Sequence, residues 1–84
     1  MSEKKAYTLT LLGQRLEILS SDTEEHVLKV ATIVNNRLSE LSSGSSGLTS
    51  TALALVVALQ LAEENVVLKN EVDRIRKKQL EQNP

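Results

Sequence analysis

Apolar and polar residues alternate with a period of two from Tyr7 to Leu19, YTLTLLGQRLEIL. Such alternation predicts β-strand, and Gly13-Gln14 in the middle reads as a two-residue hairpin connection. Glycine at the first central position suits a type II′ turn, because it tolerates positive φ. Folding on that turn sets Leu12 opposite Arg15, Leu11 opposite Leu16, Thr10 opposite Glu17 and Leu9 opposite Ile18. One face then carries Leu9, Leu11, Leu16 and Ile18, with Tyr7 at its end. The other carries Thr8, Thr10, Arg15 and Glu17, with Leu12 and Leu19 as misfits. A lone hairpin is marginal in water, so its apolar face needs a cover.

The period changes to 3.6 after SSDTEE, Ser20 to Glu25. Asp22 is placed to cap a helix, Glu25 takes the capping-box position, and the acids suit the positive helix end. The predicted helix, 22–41, gathers Val27, Val30, Ala31, Val34, Leu38 and Leu41 on one stripe flanked by Leu28 and Ile33. Ser42 to Gly47, SSGSSG, has linker composition and predicts a loop over 42–50. Thr49 or Ser50 then caps a second helix running to about Gln79.

That second helix changes character along its length. From Ala52 to Ala62 it is apolar almost all round, so more than one surface must cover it. Beyond, the pattern narrows to a heptad seam with Ala58, Asn65, Val72 and Gln79 at a and Leu61, Leu68 and Ile75 at d. In a parallel pair, Glu64 and Glu71 at g face Lys69 and Arg76 at e of the partner. Asn65 meets its own copy and fixes the register. The residues predicted to bury in self-association are Leu55, Leu59, Leu61, Asn65, Leu68, Val72 and Ile75. The fold class is α+β: an N-terminal two-stranded antiparallel hairpin, a short helix, and a long C-terminal helix forming a parallel dimeric coiled coil. A globular head over 1–62 precedes a coiled-coil extension over 63–84.

Size sharpens the case for a partner. An 84-residue chain buries only about 60% of its unfolded surface. The usual remedies are disulfides, a metal or oligomerisation. There is no cysteine and only one histidine, His26, so oligomerisation is left. Tyr7 is the sole aromatic, which leaves a core of Leu, Val, Ile and Ala. The net charge of −1 supplies no long-range attraction for nucleic acid or an anionic membrane. MSEKKAYT has no apolar stretch behind it, so it does not read as a signal peptide. The longest apolar run, Ala52 to Leu59, is short of the ~20 residues that span a bilayer, so a cytoplasmic protein is expected.

Candidate chemistry is sparse. Gly44 to Gly47 lacks the preceding strand and following Lys-Ser/Thr of a phosphate loop. Asp22, Glu24 and Glu25 are explained by helix capping, and His26 beside them by a solvated surface. RIRKK, Arg74 to Lys78, suits a helix C-terminus, where the dipole favours cations.

Four stretches together resemble the ZapA family of bacterial cell-division proteins. LTLLGQRLEI is similar to its glycine-centred hairpin, VATIVNNRLSEL to its first helix, ALVVALQLAEE to its second-helix motif, and the charged tail through Leu80 to its coiled coil. The likeness covers about Tyr7 to Leu80. Departures are Gln60 where Asn is common, Glu63 where an aromatic or histidine is frequent, and Asn65 where an apolar residue is usual. The resemblance implies a small cytoplasmic dimer, often a dimer of dimers, located at the division site. It implies no enzymatic activity and no cofactor. The implied partner is the tubulin-like protein FtsZ, whose filaments such dimers bundle or cross-link. Exposure and resemblance together select Gln14, Arg15 and Glu17 on the hairpin, with Arg37 and Glu40 on the first helix, as the partner contact. Two other classes fit the residues: a coiled-coil oligomerisation adaptor for a different client, and a weak nucleic-acid-binding dimer gripping phosphates through Arg74 to Lys78.

Overall fold

The computed structural model describes residues 3–44 and 47–82. The elements are β1 (Lys5–Leu11), β2 (Gln14–Ser20), α1 (Glu24–Gly44) and α2 (Ser50–Gln82), and the strands form one antiparallel sheet. Two compact units divide the chain, Met1–Ala54 and Leu55–Pro84.

The hairpin closes one residue earlier than its sequence predicts. Leu11 pairs with Gln14, so the turn is Leu12-Gly13 rather than Gly13-Gln14. Both turn residues have positive φ, 52° and 71°, as a type I′ turn requires. A β-carbon added to Gly13 would meet nothing within 4 Å, so backbone conformation, not space, calls for glycine there. The observed pairs are Thr10 with Arg15, Leu9 with Leu16, Thr8 with Glu17 and Tyr7 with Ile18, each shifted by two residues from the sequence-based register. A two-residue shift leaves every side chain on its original face, whereas a one-residue slip would invert them all. Tyr7, Leu9, Leu11, Leu16 and Ile18 therefore share the inner face as predicted. Leu12 leaves the outer face for the turn.

Pairing also decides which backbone groups are spent inside the hairpin. The pair beside the turn, Leu11 and Gln14, is hydrogen-bonded, and bonded pairs alternate from there. Ala6, Thr8 and Thr10 on β1, and Arg15, Glu17 and Leu19 on β2, thus turn their N–H and C=O groups outward. On the β1 side, Asn35 of α1 reaches over and donates from Nδ2 to the Thr10 carbonyl at 3.4 Å. The Tyr7 hydroxyl donates to the Asp22 carbonyl at 2.9 Å, tying β1 to the chain entering α1.

The cap of α1 is Thr23, not Asp22: the His26 amide donates to Thr23 Oγ1 at 3.1 Å. Asp22 instead closes a small turn, its amide donating to Ser20 Oγ at 3.0 Å. Glu24 and Glu25 then occupy the first turn, where the helix dipole favours them. α1 also runs three residues past Leu41, into the stretch read as linker. Ser42 and Ser43 stay helical by donating their hydroxyls to the carbonyls of Ser39 and Glu40, both at 3.1 Å. The remainder of that predicted loop includes Ser45 and Ser46, which lie outside the described residues. Thr49 caps α2, accepting from the Ala52 amide at 3.1 Å, and α2 extends to Gln82 rather than Gln79.

α1 packs on β1. Val27, Ala31 and Leu38, at 3.6-residue spacing, are buried, with Val34 and Leu41 half-buried beside them. Among the described residues, Leu53 and Val57 are the other buried hydrophobics, and none that is buried is polar or charged. The predicted stripe is therefore correct along its centre and wet at its margins: Val30, Leu28 and Ile33 are exposed.

Candidate functional site

Over the described residues no group of His, Asp and Glu is placed to hold a metal. A shallow apolar groove of about 210 Å³ opens between the hairpin's inner face (Leu9, Leu11, Ile18) and α1 (Val27, Val30, Val34).

Most of the large hydrophobics exposed among the described residues lie on α2. At 100° per residue, Leu61, Asn65, Leu68, Val72 and Ile75 fall on one narrow stripe. Leu61 is half-buried; the other four are exposed, Leu68 to 64%. The other two predicted interface residues, Leu55 and Leu59, do not share that stripe. They fall with Val66 on a second one, roughly 140° around the helix at 3.6 residues per turn. Leu59 is 71% exposed, whereas Val57, on the opposite side of α2 from Leu55, is 3% exposed. Val66 and Val67 are exposed too and were not selected from sequence. A heptad template ranks only a and d, and Val66 and Val67 fall at b and c.

Charges flank the seam. Arg74 donates from Nε to Glu71 Oε2 at 3.2 Å, and its Nη2 donates to the other carboxylate oxygen. Those hydrogen bonds, together with the attraction of the guanidinium charge, hold the Glu71 carboxyl below its ordinary range and push Arg74 above its own. Within one chain, both oxygens of Glu71 are thus engaged by Arg74 before any contact with a second copy's Arg76.

The five residues predicted to meet a partner do not form one patch. Arg15 and Glu17 are exposed on the outer face of β2. Gln14, also exposed, has the parity of Leu16 and lies on the inner side. Glu40 is exposed on α1, but Arg37 is half-buried. His26 Nε2 lies 3.8 Å from Asp22 Oδ2, an exposed contact one turn long at the start of α1.

By length and composition α2 can cross a membrane; its most apolar 18-residue window has a mean hydropathy of 1.6. Glu63, Glu64 and Asn65 interrupt the apolar sequence there, and carboxylates are costly at bilayer depth. The same composition is what a helix covered by protein on several sides requires.

Comparison with known proteins gives one consistent result. The family model for "Cell division protein ZapA" matches residues 7–83. A cell division protein ZapA of Shouchella clausii is 35% identical over 72 residues, covering 86% of this chain and 92% of that protein. One from a Geobacillus species is 29% identical over 76 residues, covering 90% and 87%. Among solved structures, a ZapA mutant dimer from Geobacillus stearothermophilus superposes with a TM-score of 0.79 at 28% identity, over 93% of this chain and 91% of that one.

Proposed function

The chain belongs to the ZapA family of cell division proteins, and from that premise we propose that it is a non-enzymatic dimer that binds FtsZ and cross-links its filaments. The observation that carries this reading is the seam on α2. Leu68, Val72 and Ile75 stand exposed at heptad spacing on α2, among the described residues. A second copy, parallel to the first, buries that seam knob-into-hole and pairs Asn65 with its equivalent. Leu55 and Leu59 lie beyond the reach of a two-helix seam and are covered by further contact between copies. The neighbour solved as a dimer supports self-association of this kind.

Function then follows from geometry rather than bond chemistry. A dimer carries two equivalent heads, so it engages two filaments, or two subunits of neighbouring filaments. Linking two weak contacts raises their joint strength by effective concentration. Arg15 and Glu17 on the outer face of β2, with Gln14 at the turn and Arg37 and Glu40 on α1, are the residues proposed to meet FtsZ. The protein acts in the cytoplasm at the division site.

The test is to sediment FtsZ filaments with and without the protein. Added dimer increases the pelleted mass and thickens the bundles. Leu68→Glu places a carboxylate in the seam, giving a monomer that no longer bundles. An intact dimer that leaves both pellet and bundle width unchanged refutes the FtsZ reading. A monomeric Leu68→Glu variant that bundles like the parent refutes the bivalent mechanism.

A further inference from the structure

We propose that the outer edge of β2 is a self-pairing edge, joining the heads of two copies into a four-stranded antiparallel sheet across a twofold axis. The edge is open: Arg15, Glu17 and Leu19 direct their backbone N–H and C=O groups away from β1, and no hydrogen bond occupies them among the described residues. The other edge differs, since Asn35 already takes the Thr10 carbonyl. Such an edge is a template for strand addition, and main-chain pairing supplies the attraction.

The occupant is identified by register. Only Arg15, Glu17 and Leu19 can take hydrogen-bonded positions in the new pairing, so the possible twofold registers are few. Centring on Arg15 sets arginine against arginine, and centring on Glu17 sets carboxylate against carboxylate; like charges directly opposite are unfavourable. Centring on Ile18 sets Glu17 against Leu19, and centring on Leu19 makes no charge pair. Centring on Leu16 alone sets Arg15 opposite Glu17 of the second copy, and Glu17 opposite its Arg15. Neither side chain has an ion-pair partner within its own chain, among the described residues. The same register brings Leu16 against Leu16 at the axis. Leu16 is an inner-face residue left 42% exposed because β2 has no neighbour on that side. A twofold contact of this kind is self-complementary and closes on itself. The contact rests on the proposed reading that the rod joins copies, which brings heads together at an effective concentration that the edge alone does not supply; it does not rest on FtsZ.

Cysteine linking tests the register directly, because the chain contains no cysteine. Leu16 and its equivalent form a non-hydrogen-bonded pair with Cα atoms about 4.5 Å apart, inside the roughly 4.4–6.8 Å that a disulfide spans. Two Leu19 residues are six positions out of register, about 20 Å apart at ~3.4 Å per residue. Leu19 is the more exposed, at 70%, so random collision favours Leu19→Cys. The pairing predicts the reverse: under mild oxidation of the full chain, Leu16→Cys links about tenfold faster or more, through the effective concentration of a formed pair. Arg15→Glu or Glu17→Arg in that background slows linking, and the two together restore it. Equal or faster linking by Leu19→Cys, with native helix content, overturns the inference, as does failure of the double charge reversal to rescue. A failure of the rod reading shows separately, as monomer mass for the parent, whereas a parent of multiple-chain mass whose Leu16→Cys variant links no faster than Leu19→Cys overturns the edge pairing alone.

Discussion

Leu12 holds a backbone conformation that leucine seldom adopts, with φ at 52°. The left-handed region costs an L-residue with a β-carbon roughly 1–2 kcal/mol, and Asn or Asp far less. Asn-Gly is the favoured type I′ pair. Leu12→Asn is therefore expected to stabilise the fold by about 0.5–1 kcal/mol, a rise of several degrees in Tm for a domain this small, read by thermal unfolding. No change, or a fall, would mean that the half-buried leucine makes contacts worth more than the backbone strain. Glu71 offers a second reading at the same scale. Arg74 lowers its carboxyl pKa, so the ionised pair's contribution to the helix is complete above the ordinary carboxylate range. It is lost as pH falls through the lowered value. In a carboxyl NMR titration Glu71 should protonate at lower pH than an unpaired glutamate, and Arg74→Met should return it to the ordinary range. An unchanged titration in that variant would exclude Arg74 as the cause.

At the scale of elements, much of the fold is legible from residue order, and the misses have physical reasons. Strand faces are written in the alternation of Leu9, Leu11, Leu16 and Ile18. Register is not, because two pairings that differ by two residues bury the same side chains. The stripe of α1 can be read from Val27, Ala31 and Leu38. Its end cannot, because Ser42 and Ser43 look like linker until their hydroxyls are seen bonded back to the previous turn. The cap is ambiguous for a related reason: Asp22 and Thr23 are both good caps, one residue apart, and only the hydrogen bond to the His26 amide separates them. Thr23→Ala should cost about 1 kcal/mol of stability by denaturant unfolding. Asp22→Ala should cost less, and the opposite order would return the cap to Asp22. On α2 the a and d seam is legible because charges surround it. The second stripe is obscured at Leu55 and Leu59 by a segment with almost no polar face, and at Val66 by its place outside the a and d positions.

For the whole molecule, the decisive quantity is mass. Among the described residues the buried hydrophobics are Val27, Ala31, Leu38, Leu53 and Val57, a small core, while Leu55, Leu59, Leu68 and Leu80 each stand mostly in water. Fully burying one such leucine is worth ~1.5–3 kcal/mol, so several along a seam offset the cost of association. Light scattering over a concentration series should give a multiple of 9.2 kDa for the parent and the single-chain value for Leu68→Glu. A monomeric parent at micromolar concentration with α2 intact would remove the basis for bivalency. Exposure and resemblance point to the proposed partner residues but not to a common face, and the sheet sets Gln14 opposite Arg15 and Glu17, because neighbours on a strand point to opposite sides. One last property follows from the unlike margins of the hairpin. Asn35 occupies one acceptor on the β1 border, the Thr10 carbonyl, whereas the β2 border is bare, so an arriving strand meets a partly blocked ladder on β1 and an open one on β2. Growth by strand addition is thereby biased towards the pair and against the runaway fibre that two equally bare borders would favour.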